Sequence, residues 1–103
     1  MPDALTSERF VAALDRWAGQ RVSVRVVTRG DDLLAVFAGR LVPRSDDKQP
    51  ALFWPVVEAA GGAQFEQPGI YLHPERFESA AVHTGKWVLE LRQADVTLNI
   101  RRL

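Results

Sequence analysis

Between Arg21 and Val42 two apolar, β-branched runs flank a short polar break, Arg29-Gly30-Asp31-Asp32. In the first run Val22, Val24 and Val26 alternate with Arg21, Ser23 and Arg25, the period of two that a strand with one dry and one wet face requires. The pattern predicts a β-hairpin. The same alternation returns at Val96, Leu98 and Ile100 against Thr97, Asn99 and Arg101. Ahead of the hairpin the period lengthens. Phe10, Val11, Leu14, Trp17 and Ala18 fall on one helical face, with Arg9, Asp15 and Arg16 away from it. Thr6 or Ser7 can cap this helix, Glu8 suits its first turn and Gly19 can end it. A helix of about twelve residues is marginal alone in water, so its apolar stripe must pack on the sheet that follows.

The polar stretch Pro43–Pro50 reads as an exposed loop, and Ala51–Glu58 as a third strand. Pro55 has no amide proton, which points to an edge, bulge or bend there. Ala59–Gly69 is a second loop, punctuated by Gly61-Gly62 and Pro68-Gly69. Ile70–Leu72 starts a fourth strand, and Pro74-Glu75-Arg76-Phe77 can form a single helical turn. Ser79–His83, Trp87–Leu91 and Val96–Leu103 complete the strands. One helix followed by five to seven short strands predicts a mainly β fold, a small antiparallel barrel or strongly bent sheet with an N-terminal helix. The alternative is an α+β arrangement, with the helix packed on an open antiparallel sheet. Either is one domain over residues 1–103, with the helix at about 7–18 and the β core at about 20–103.

This order of elements resembles the Sm-like family of small, SH3-type barrels over roughly residues 8–83. The helix Phe10–Ala18, the strand Gln20–Val27 and the strand Leu34–Val42 with Gly39 at its bend carry the resemblance. Ile70-Tyr71-Leu72 through Val82 would supply the last two strands, joined by the Pro74 turn. The resemblance implies a closed or nearly closed barrel and contact with RNA. The family's Asp and Asn for RNA have no counterpart after the bent strand, since Asp46-Asp47 lie in a longer loop, and Lys86–Leu103 falls outside the pattern.

Composition narrows the classes. Of 103 residues, 47% are hydrophobic and 25% charged, as in an ordinary globular protein. The absence of cysteine excludes disulfides, thiolate nucleophiles and thiolate metal sites, and suits the cytoplasm. MPDALTSERF has no secretory pattern, and the longest apolar run, Leu33–Ala38, is far short of the ~20 residues that span a bilayer, so no membrane association is expected. Thirteen basic residues balance thirteen acidic ones, so no whole-molecule field steers the protein to nucleic acid. Arginines outnumber lysines, of which there are only Lys48 and Lys86; a genome rich in G and C accounts for the bias, and selection for phosphate or carboxylate contacts is the alternative.

Three sets of residues are candidates for function. Phe53, Trp54 and Pro55 form an apolar segment broken by proline, a template for pairing with a second copy or another protein if it lies at a sheet edge. Arg21, Arg25 and Arg29 make a basic stripe that, with Phe53-Trp54, Phe65, Tyr71 or Trp87 as stacking platforms, offers a nucleic-acid surface. His73, Glu75, Glu78 and His83 are the only grouping of metal-ligand types, without the spacing of a known site. The reading that follows is a non-enzymatic binding or assembly module, needing no cofactor or metal, whose partner is itself or another protein. A nucleic-acid-binding barrel is the alternative and a metal-assisted enzyme comes last.

Overall fold

Thr6 sits in extended backbone, and its side-chain oxygen accepts the Arg9 N–H at 3.2 Å, so the capping that the sequence predicts starts helix α1, Ser7–Arg16. The structure is a computed structural model and describes residues 3–45, 50–60, 68–83, 85 and 87–103. Eight strands accompany α1: β1 Asp3–Leu5, β2 Arg21–Thr28, β3 Leu33–Leu41, β4 Leu52–Ala60, β5 Gly69–Leu72, β6 Phe77–Val82, β7 Val88–Gln93 and β8 Val96–Arg102. A 3-10 turn, Pro74–Arg76, joins β5 to β6 at the predicted position. The strands pair antiparallel in the order β1-β6-β7-β8-β2-β3-β4-β5 and curl into a half-barrel. The mainly β fold with an N-terminal helix is therefore the architecture.

Alternation decides what lies inside. Val22 and Val24 of β2, Leu89 and Leu91 of β7, and Leu98 and Ile100 of β8 point into the concave side, where they meet Phe10, Leu14 and Trp17 of the helical stripe. From the far half come Phe37, Leu41, Trp54, Val56, Ile70 and Leu72. One hydrogen bond anchors the helix across this core: the Trp54 indole N–H donates to Asp15 Oδ1 at 2.8 Å. The chain leaves α1 through Gly19, at φ +90°, whose N–H bonds the Leu41 carbonyl at 2.7 Å and so ties the helix end to the end of β3.

The structure differs from expectation at three places. The segment Lys86–Leu103, outside the Sm-like pattern, supplies strands at the middle of the sheet, since β7 and β8 lie between β6 and β2. β1 went unpredicted, because three residues are too few to show a period. β4 is not an edge: it is flanked by β3 and β5. Pro55 is accommodated because the β3–β4 ladder ends there, where its carbonyl accepts from Val42 N–H at 3.0 Å and no donor is called on. The irregularity expected at Gly39 is present, as a register shift between Ala38 and Arg40 in the β3–β4 ladder.

β5, at the end of the sheet order, would leave backbone groups unpaired. Gln93, the one buried polar residue among the described residues, supplies them with a side-chain amide: its Oε1 accepts from His73 N–H at 2.8 Å and its Nε2 donates to the Tyr71 carbonyl. A single amide thus bridges the β5 margin to β7, as a strand residue would. Gln93→Leu keeps the size and strands both backbone groups. It is expected to lower unfolding stability by about 1–3 kcal/mol per orphaned group, read as an earlier urea midpoint.

Candidate binding groove

The single ten-residue helix does not cover the whole concave side. Where β6 ends, β7 begins and β8 ends, a groove of about 960 Å³ opens between α1 and the sheet. Leu5, Ala13 and Val82 make its floor over the buried Leu89, and Arg9, Arg16 and Arg102 stand around it, with Asp3 as the one acid among the described lining residues. Arg9 and Arg16 are two helical turns apart on the same side of α1, about 10 Å along its axis. Arg102 takes the parity of the inner, apolar positions Leu98 and Ile100, which carries its side chain toward α1 rather than outward.

The Arg102 guanidinium lies 4.2 Å from the centre of the Trp87 ring and 5.6 Å from that of Trp17. Both distances are in cation–π range, so the two indoles hold the guanidinium at this mouth of the groove. Trp17 is buried, while Trp87 is 52% exposed. Trp87 is also held by Gly85, at φ +78°, where a β-carbon would come within 2.7 Å of the indole. Among the described residues no carboxylate pairs with Arg9, Arg16 or Arg102. Three guanidinium groups without a carboxylate partner among the described residues thus stand around one concavity.

The residues singled out from the sequence are dispersed. Phe53, Trp54 and Pro55 are buried. Trp54 faces the core, whereas Phe53 faces the opposite way, stacked on Tyr71 at 4.4 Å and closed in by Gly69, where a β-carbon would come 2.2 Å from its ring. These three residues therefore do not form an open sheet edge for a partner; the chain's own β5 and the segment at Ser45 cover them. Of the proposed stacking residues, Tyr71 packs between Phe53 and His73, Phe65 lies outside the described residues, and Trp87 is the exposed one.

The basic stripe is also redrawn. Arg29 bonds Glu78 at 2.8 Å and Asp95 at 3.1 Å, so its charge is matched at the junction of two hairpins. Arg21 and Arg25 do share the convex face of the sheet, and the register adds Arg40, opposite Arg21, and Arg101, opposite Ser23. Arg21 and Arg40 have contacts of their own.

His83 pairs with Glu90 at 3.0 Å, and the other Glu90 oxygen takes Arg92 at 3.0 Å. His73 sits at the far end of β7, beside Gln93. Five residues of strand, about 17 Å, separate the levels of the two histidines, and Glu78 is engaged by Arg29, so the His73–Glu75–Glu78–His83 set does not converge. No cluster of metal-ligating side chains occurs among the described residues.

No family model, curated protein or solved structure matches this chain. The assignment of function thus rests on the chemistry of the groove and of the convex face.

The covered position of Phe53 has a direct consequence. Phe53→Asp places a carboxylate against Tyr71 and Gly69 and is expected to cost more than about 3 kcal/mol of folding stability, read as loss or early onset of the urea transition. A fully stable Phe53→Asp protein would place Phe53 at a surface instead.

Proposed function

We propose that this protein is a non-enzymatic binding or assembly module that holds an anionic, partly apolar protein segment in the groove beneath α1. One observation carries the reading: Arg9, Arg16 and Arg102 surround a concavity that mixes polar surface with Leu5, Ala13 and Val82, and they have no carboxylate partner among the described residues. Burying cationic edges beside Leu5, Val82 and Leu89 is favourable only when the occupant brings both negative charge and apolar surface. The cation–π contacts of Arg102 with Trp17 and Trp87 support the same reading, because they restrain the side chain before a ligand arrives and reduce the ordering cost of binding.

A nucleic-acid-binding barrel is the second reading. The convex row of Arg21, Arg25, Arg40 and Arg101 favours it, as does the order of helix and bent strand that resembles the Sm-like family. Among the described residues that face has no exposed aromatic beside the arginines on which bases would stack; the register neighbours are Ser23, Ala38, Asn99 and Val36.

Fluorescence polarisation with labelled polyglutamate and labelled oligo-dT separates the two. Polyglutamate is expected to bind at low salt, to weaken as salt is raised, and to lose at least tenfold in affinity in an Arg9→Glu/Arg16→Glu variant, with an Arg25→Glu/Arg101→Glu variant unchanged. Tight oligo-dT binding that disappears in the convex-face variant and survives in the groove variant would replace this reading with the second.

A further inference from the structure

The strands give the molecule two unlike ends. The groove lies where β2 begins, since Val22 is opposite Arg102, and the β2–β3 turn lies at the other end, about 25 Å away along eight residues of strand. At that far end Asp31, Asp32, Glu78 and Asp95 gather, with Arg29 and the Glu90-paired Arg92 among them. Glu78 and Asp95 are consumed by Arg29, whereas Asp31 and Asp32 at the turn have no basic partner among the described residues. Directly beyond them Leu33 and Leu34 are 54% and 57% exposed, followed on the same strand by exposed Val36. The turn is firmly built. Thr28 N–H bonds the Asp32 carbonyl at 2.8 Å, and Asp32 N–H bonds Thr28 Oγ1 at 3.0 Å. Asp31 stands at φ 66°, a conformation that Asp tolerates better than most residues.

We infer that the occupant of the groove is the β2–β3 turn of a second copy of this chain, with Asp31 and Asp32 against Arg9, Arg16 and Arg102 and with Leu33 and Leu34 on the apolar floor. The inference rests on the groove reading above and names its partner. The turn presents in four consecutive residues what the groove lacks: two unmatched carboxylates and two exposed leucines. Both surfaces are on one chain, so the neutral total of thirteen acids and thirteen bases resolves into complementary ends. Because the two surfaces are different and lie at opposite ends, the contact is head-to-tail. Repetition closes a ring or extends a filament, and does not produce an isologous dimer. No residue of the core has to move. The exposed Leu33, Leu34 and Val36, an apolar patch without cover in a single copy, become interface.

The decisive experiment pairs two broken copies. An Asp31→Asn/Asp32→Asn variant keeps the groove and loses the acidic turn; Asn also tolerates the φ of residue 31. An Arg9→Glu/Arg16→Glu variant keeps the turn and loses the groove. Size-exclusion with light scattering is expected to give a multimer for the unaltered protein, dissociating as salt rises, and a monomer for each variant alone. An equimolar mixture is expected to give a one-to-one dimer, since only one productive contact then remains. Circular dichroism of each variant shows that it is folded. A monomeric unaltered protein at millimolar concentration overturns the inference, as does a multimer that neither variant disrupts or a mixture that stays monomeric. If polyglutamate still binds the groove of a monomeric protein, the groove reading stands and only the self-partner fails; if polyglutamate does not bind either, both fall.

Discussion

The constraint on which the rest of this molecule depends is a mismatch of size between one helix and one curled sheet. Eight strands bent into a half-barrel expose a concave apolar face that has to be shielded from water, and α1 is the helix available among the described elements. Ten residues of helix reach about 15 Å, half of the 30 Å over which the molecule extends. Phe10, Leu14 and Trp17 therefore shield the centre of the concavity, and the side chains at one mouth are left at the margin. Alanines at 12 and 13, facing that mouth, keep it open. The groove is what an undersized lid leaves behind, and the arginines at its rim keep the remaining apolar floor from being a plain sticky patch.

The margins of the sheet are handled differently at its two ends. β1 is three residues long and passes straight into α1, which limits its use as a template. β5 is served by Gln93, an inward-facing residue of β7 whose amide satisfies the Tyr71 carbonyl and the His73 N–H. With both margins occupied in these ways, association through strand pairing has little to work with. The proposed recognition accordingly uses side chains, at the groove and at the β2–β3 turn.

Periodicity made the helix, the opening hairpin and the C-terminal pair legible, because each buries one face and so writes its period into the sequence. The placement of β4 was not legible. Leu52-Phe53-Trp54-Pro55 is apolar at every position because both of its faces are covered, Trp54 by the core and Phe53 by Tyr71 and Gly69, and a strand buried on both sides has no alternation to show. The proline then suggested an edge, where the actual reason it fits is that the β3–β4 ladder stops at its side. Arg9 and Arg16 could be placed off the apolar stripe, but nothing local joins them to Arg102, which lies more than eighty residues on. The available signal was parity: Arg102 continues the series Val96, Leu98, Ile100 and not the wet series Thr97, Asn99, Arg101. A charged residue in the dry register at the end of a strand marks the mouth of a core. Arg29 illustrates the converse, since its matching by Glu78 and Asp95 depends on two hairpins meeting and leaves no mark in the spacing.

Charge balance, which argued against any strong electrostatic role, takes on a different meaning once the fold distributes it. A neutral chain can be neutral everywhere or can be polar end to end. Here the strands set the distance between unmatched arginines at one mouth and unmatched aspartates at the opposite turn, so the separation is fixed by β2 and β8 rather than by flexible segments. Mutual attraction of the two ends within one copy is impossible across a rigid sheet of about that length, and screening over about 8–10 Å at ordinary ionic strength leaves each end independent of the other. Under the proposed head-to-tail contact, each end meets its opposite on another molecule. The exposed leucines beside the aspartates act in the same direction, because apolar burial adds a term that salt does not screen. A scaffold that shields its own core incompletely at one end and carries a complementary projection at the other has the physical requirements of an assembly unit within a single small domain.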